Sequence, residues 1–209
     1  IGDTVVIRRQ GDVIPAVVAV VEAKRDGSEK KFKLPTKCPV CATEAVKEEE
    51  DDVALRCPNP HCPAKLRERL KHFVSRNALD IDSLGEKLID QLLEKELIEK
   101  PADIFNLDRD ALIDLERMAE KSADNLLEAV EKSKDVELAR FIYSLGIRHV
   151  GERTARLIAE AVGSFEVLGK KSVEDLEAIH EVGPKAAEAV VEFFSNSWEQ
   201  ENLAKMFEY

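Results

Sequence analysis

Four cysteines carry the most specific chemistry in this sequence. Cys38-Pro39-Val40-Cys41 is followed, after fifteen intervening residues, by Cys57, and Cys62 comes after a further gap of four. Such spacing suits a tetrahedral zinc ion, because each close pair forms a turn that aims two thiolates at one point and the ribbon between them joins the pairs. Pro39, Pro58, Pro60 and Pro63 fit rigid turns at these knuckles. Disulfides or a redox pair are the alternative. No apolar run approaches the roughly 18 residues of a membrane span, and no signal-type stretch precedes the first strand, so a cytoplasmic setting is expected and disulfides are disfavoured. His61 could compete with Cys62 as fourth ligand. Four thiolates make a closed structural site, so Cys38, Cys41, Cys57 and Cys62 are the expected set, with no open position for metal catalysis.

A second kind of chemistry recurs. The pattern apolar-x-x-apolar-Gly-x-x-x-small/apolar-x-x-apolar occurs as Ile81…Leu84-Gly85…Ile89…Leu92, Leu115…Met118-Ala119…Ala123…Leu126, Ile147…Val150-Gly151…Ala155…Ile158 and Ile179…Val182-Gly183…Ala187…Val190. The glycine (or Ala119) positions are 34, 32 and 32 residues apart. Each glycine is expected where one helix stops and the next starts, supplying a positive φ and a close backbone approach. The following helix would present unpaired N–H groups at its positive end, which is an anion site. Lys87, Lys121, Arg153 and Lys185 each stand two residues after the glycine position, where a cation could close over a phosphate. One such unit alone would read as a helix cap with a solvated lysine. Four at nearly constant period suit phosphates along both strands of a duplex minor groove, a sequence-independent mode. By the same argument Ala119, which tolerates positive φ poorly, makes the second unit the weakest DNA contact, and Glu181 would repel a phosphate unless it points away.

These sites need elements to hold them. Residues 1–36 read as β: a strand over Thr4–Arg9, a Gln10-Gly11-Asp12 turn, the β-branched run Val17–Val21 and a second turn at Asp26-Gly27. Two or three strands need partners, and with no initiating methionine the chain is expected to be cut from something longer. From Ala64 onward the pattern is helical: Leu66, Leu70, Phe73 and Val74 share one face, with Lys65, Arg67, Arg69, Lys71 and Arg76 on the others. Short helical units of this kind bury apolar faces only by packing on one another. The fold class is therefore mainly α: a partial barrel segment (1–36), a four-cysteine finger (37–63) and four tandem helix-hairpin-helix units (64–209).

A net charge of −11 over 209 residues weighs against a broad basic groove. Residues 1–77 carry 15 Lys and Arg against 12 Asp and Glu, a balance of +3, and residues 78–209 carry 16 against 30, a balance of −14. Screening confines surface fields to about 8–10 Å, so discrete phosphate sites survive an acidic total.

Taken in order, Gly2-Asp3-Thr4-Val5, Arg8-Arg9, Gly11-Asp12-Val13-Ile14-Pro15, Cys38-Pro39-Val40-Cys41, Cys57-Pro58-Asn59, Cys62-Pro63-Ala64, His72-Phe73-Val74-Ser75-Arg76 and the four hairpins resemble bacterial NAD⁺-dependent DNA ligase along the whole chain. The resemblance implies the end of an oligonucleotide-binding (OB) barrel, then a zinc finger, then a helix-hairpin-helix domain. Together they would hold nicked duplex DNA for an enzyme that uses NAD⁺ and Mg²⁺ in replication and repair on the bacterial nucleoid. It departs at Ala42, where that family usually has glycine, at Ser83 and at Ala119, and helix-hairpin-helix units often carry a further glycine where this chain has Ser83, Arg117, His149 and Glu181. Lys24-Arg25-Asp26-Gly27 matches the string around the family's adenylylated lysine, but Asp-Gly between strands is a common hairpin turn and only 23 residues precede it. The expectation is a DNA-clamping portion that binds structural zinc but neither NAD⁺ nor Mg²⁺, inactive alone, with the adenylation domain and the rest of the barrel as partners and no membrane contact. The rivals are a stand-alone helix-hairpin-helix repair scaffold and a helical protein-interaction module using the acidic half.

Overall fold

A computed structural model describes residues 1–11, 13–47 and 52–209. Asp12 of the expected first turn lies outside the described residues. Two compact units result, Ile1–Asn59 and Pro60–Tyr209.

In the first unit, β1 (Val5–Gln10) and β2 (Ile14–Val20) pair antiparallel from Val5↔Val20 to Gln10↔Ile14, with a register shift between Val6 and Ile7. Both strands are displaced from the ranges read in the sequence: β1 starts and ends one residue later, and β2 takes in Ile14-Pro15-Ala16 because Gly11, in the left-handed region at φ 57°, reverses the chain early. β-branched residues on both faces stay exposed, among them Val6, Ile7, Val17 and Val18. A two-stranded ribbon of this kind has no core of its own. After a 3-10 turn at Glu22–Lys24 the chain is irregular. Asp26 and Glu29 accept the N–H groups of Ser28 and of Asp26 and Gly27, and Arg25 pairs with Asp3. Lys24 is exposed.

The second unit is helical. α1 (Pro63–Phe73) and α2 (Glu86–Glu94) form the first hairpin, α3 (Arg109–Ile113) and α4 (Glu120–Ser133) the second, and α5 (Leu138–Ser144) and α6 (Glu152–Val162) the third. A short α7 (Phe165–Leu168) leads to the fourth, α8 (Val173–Glu177) and α9 (Pro184–Ser195). Finally α10 (Ser197–Glu208) packs back on a 3-10 segment at Pro101–Asn106, where Asn202 Oδ1 accepts the buried Ala102 N–H at 3.0 Å.

The repeat's apolar positions make the core. Leu70, Phe73, Ile89, Leu92, Leu112 and Leu126 gather the first two hairpins into one cluster, and Ile142, Leu145, Ile158, Leu176 and Val190 gather the last two into another. Phe141 and Met206 pack against both clusters. The expected stripe on α1 holds, with Leu70 and Phe73 buried. Its cations, however, serve the fold. Arg67 reaches Glu86 at 2.7 Å and Asp90 at 2.9 Å, Lys71 bridges Glu68 and Glu86, and Arg69 lies over the Trp198 ring at 4.9 Å while pairing with Glu199. Hydrogen bonding from Arg67 holds the Asp90 carboxyl below its ordinary range.

Candidate metal centre and nucleic-acid interface

Local backbone builds the first knuckle. Cys38 N–H donates to the Thr43 carbonyl at 2.8 Å and Ala42 N–H to the Cys38 carbonyl at 3.0 Å, with Ala42 at φ 58°. A left-handed residue here explains why glycine is the usual occupant. Bridges Lys37↔Glu44 and Val46↔Arg56 then place Cys57 beside the loop that carries Cys38 and Cys41. Cys62, 1% exposed, stands at the N-cap of α1. The four Sγ atoms lie within 4.8 Å of one another, and His61 is not in the group. Zinc–sulfur bonds of about 2.3 Å would put tetrahedral edges at roughly 3.8 Å, so the set is arranged for metal binding with little adjustment. Cys41 and Cys57 are 3.5 Å apart. Hydrogen bonding with Thr43, whose hydroxyl is 3.2 Å away, lowers Cys41 to about 5, while desolvation and the neighbouring Cys41 push Cys57 up to about 12.

The hairpin turns share one geometry, and it differs from the expected one. Gly85 (φ −82°, ψ 173°), Ala119 (−97°, 164°), Gly151 (−84°, 177°) and Gly183 (−84°, 165°) are extended N-cap residues. None uses positive φ. The left-handed residue comes two positions earlier, at Ser83 (70°), Arg117 (61°), His149 (63°) and Glu181 (67°). The doubt about the second hairpin therefore falls, since alanine adopts an extended N-cap without strain. What glycine adds is room: a Cβ built at Gly85, Gly151 or Gly183 meets no protein atom within 4 Å, leaving that side of the turn free for an approaching ligand.

Asp108, Ser164, Ser172 and Asn196 cap α3, α7, α8 and α10 with their side chains. α1 and α5 start without a side-chain cap, and so do α2, α4, α6 and α9, the second helices of all four hairpins. The first N–H groups of these second helices lack intrahelical partners and keep their capacity for an anion. Lys87, Lys121, Arg153 and Lys185 are exposed at the second residue of these four helices. Arg153 Nε donates to Glu181 at 2.9 Å across 28 residues, so Glu181 turns to a cation rather than standing alone. Sequence reasoning missed Arg117. It shares with Ser83, Lys87, Ser122 and Asn125 a groove of about 630 Å³ between the first two hairpins, and the signal was its place in the repeat, two residues before Ala119.

Comparison with known proteins finds three family matches along the chain. The NAD-dependent DNA ligase C4 zinc finger domain matches residues 37–64, a SAM-like helix-hairpin-helix tandem matches 75–132, and a helix-hairpin-helix motif matches 140–203. A DNA ligase of Geobacter sulfurreducens is 51% identical over 207 residues, covering 99% of this chain and 31% of that protein. DNA ligases of Geobacter metallireducens and Anoxybacillus flavithermus are 50% and 49% identical over 208 and 209 residues, each covering 100% of this chain and 31% of the relative. The chain spans about a third of the length of the curated relatives it matches.

Proposed function

Because the chain belongs with the bacterial NAD-dependent DNA ligases, whose C4 zinc finger it carries and a third of whose length it matches, we propose that it holds duplex DNA for nick sealing. In this reading residues 1–36 close an OB barrel whose remaining strands cover the exposed apolar faces of β1 and β2. Residues 37–63 are the finger, and residues 64–209 grip the DNA backbone. The longer protein joins a 3′-hydroxyl to a 5′-phosphate with NAD⁺ and Mg²⁺, in replication and repair on nucleoid DNA. The 209 residues contribute position: Gly85, Gly151 and Gly183 admit phosphates to helix N-termini, and Lys87, Lys121, Arg153 and Lys185 close over them. The observation that carries the reading is the four-fold recurrence of an uncapped helix start behind one turn geometry, a left-handed residue followed two positions later by an extended N-cap. Backbone contacts of this kind carry no base information.

Zinc bound by Cys38, Cys41, Cys57 and Cys62 would cross-link segments that bury little apolar surface, a contribution of roughly 10–16 kcal/mol in small fingers. Titrating the 209-residue chain with labelled nicked duplexes of two unrelated sequences tests the DNA reading. Similar affinities, falling steeply as salt rises, are expected. Absence of binding at low salt would make the helical protein-interaction module the better reading. Metal analysis after purification without chelators should give one zinc per chain, and a zinc-free chain would remove the finger from the proposal.

A further inference from the structure

The third hairpin concentrates cations in an otherwise acidic half. Residues 138–158 carry Arg140, Arg148, Arg153 and Arg156 against Glu152 alone, a balance of +3 inside a region totalling −14. Two of these arginines line a polar cleft of about 300 Å³ together with Arg76, which comes from the loop after α1. That is roughly ten times the volume a water molecule occupies in the liquid, enough for a hydrated phosphate group.

Four of the nine arginines of the helical unit pair with carboxylates: Arg67 with Asp90, Arg69 with Glu199, Arg109 with Asp124 and Arg153 with Glu181. Among the described residues no ion pair engages Arg76, Arg140 or Arg156, although Glu137 and Glu152 line the same cleft. Glu152 instead accepts from Asn77 Nδ2 at 2.8 Å. Arg140 Nη2 donates to the Arg76 carbonyl at 2.6 Å, which fixes one guanidinium and ties the two sides of the cleft together. Nearby, His72 Nε2 and the Tyr143 carbonyl are 2.7 Å apart, so the walls come from elements already joined. Three guanidiniums line the cleft against the two carboxylates of Glu137 and Glu152, which leaves it a positive balance, and a planar fork of donors is matched to phosphate oxygens. Glu152 is also the first residue of α6, so the cleft opens beside the Gly151 turn.

We infer that the cleft of Arg76, Arg140 and Arg156 is a phosphate-binding site distinct from the hairpin turns, and that its ligand is a backbone phosphodiester of the DNA held at Gly151. The second half of that statement rests on the DNA reading above. The anion chemistry does not.

The test uses the 209-residue chain, a short labelled duplex, and the variants Arg76→Gln and Arg156→Gln. Arg109→Gln, which breaks exposed pairs with Asp124 and Glu120 away from the cleft, is the control. Each cleft variant should lower the slope of log affinity against log salt by about one unit and weaken binding about tenfold at low salt, while the control matches wild type. In parallel, inorganic phosphate is titrated against the side-chain Nε–Hε resonances of the three arginines, with saturable shifts expected. Wild-type slopes in both cleft variants, alongside normal DNA binding by the parent chain, would overturn the cleft and leave the hairpins standing. If the parent chain binds no duplex, the hairpin reading fails and the phosphate titration decides: saturable shifts keep the anion site, and their absence removes it.

Discussion

The third and fourth hairpins are near copies in backbone and opposites in charge. Their N-caps, Gly151 and Gly183, have the same extended geometry, and their left-handed residues, His149 and Glu181, differ by four degrees in φ. Val150 and Val182 are equally buried, as are Ala155 and Ala187. Yet residues 138–158 balance to +3, while the equivalent 170–190 carry Lys170, Lys171 and Lys185 against five acids, a balance of −2. The buried positions alone therefore suffice to form the turn. Core side chains dictate where the backbone amides stand, and the exposed positions are free to set the field around them. A hairpin can keep its backbone geometry while the charge around it changes sign.

If that separation is right, blocking the open side of the turn should matter most where the field is favourable. Gly151→Val places a side chain in open space on an extended residue, so the fold should persist, with a cost of up to about 1 kcal/mol for a poor N-cap. Duplex affinity should fall at least about tenfold, equivalent to roughly 1.4 kcal/mol. Gly183→Val should cost less, about threefold. Far-ultraviolet dichroism must be unchanged in both for the comparison to count. Equal losses would show that charge does not grade the hairpins, and no loss in either would leave both as packing devices.

Much of this was legible from spacing alone, because the information is local or periodic. Cysteine clusters announce a metal site through distance along the chain, and a repeat of 32 to 34 residues announces itself by recurrence. The role of glycine was not legible. Its presence signals that a side chain is unwelcome but not why, and positive φ was the wrong choice between two reasons. Ile147 and Val150 are both buried on either side of His149, so the chain doubles back there whatever residue occupies the turn. Nor could sequence show which cations are consumed internally: Arg69 finds Glu199 across 130 residues, a partnership no local pattern encodes.

The ion pair joining the two hairpins gives an intermediate effect. Arg153 is 78% exposed and Glu181 40%, so their pairing contributes little to stability but competes with phosphate for the same guanidinium. Glu181→Gln should leave the melting temperature nearly unchanged while raising duplex affinity about threefold at low salt, through release of Arg153 and loss of a negative charge. Arg153→Gln should instead lower the salt slope by about one unit. In the double variant the gain from Glu181→Gln should shrink, because the cation it releases is gone. A full gain in the absence of Arg153 would mean that Glu181 acts only by general repulsion, and the two hairpins would be electrostatically independent.

The smallest effect concerns the strain both turns share. A left-handed conformation costs a residue with a Cβ roughly 1–2 kcal/mol, and neither His149 nor Glu181 is glycine. Replacing either by glycine relieves that strain but loosens the unfolded chain, an opposing term of about 0.4–1 kcal/mol. The net gain should be some tenths of a kcal/mol to about 1 kcal/mol, a rise of roughly 1–4 °C in the melting temperature of a unit this size. The two substitutions should part company in DNA binding. His149→Gly removes a side chain beside a favourable site and should leave affinity within about twofold, whereas Glu181→Gly also frees Arg153 and should track Glu181→Gln. Equal stabilisation with unequal binding would separate turn geometry from charge in a single pair of variants. Destabilisation of either would mean that the side chain at the left-handed position supports the turn through contacts that outweigh its strain.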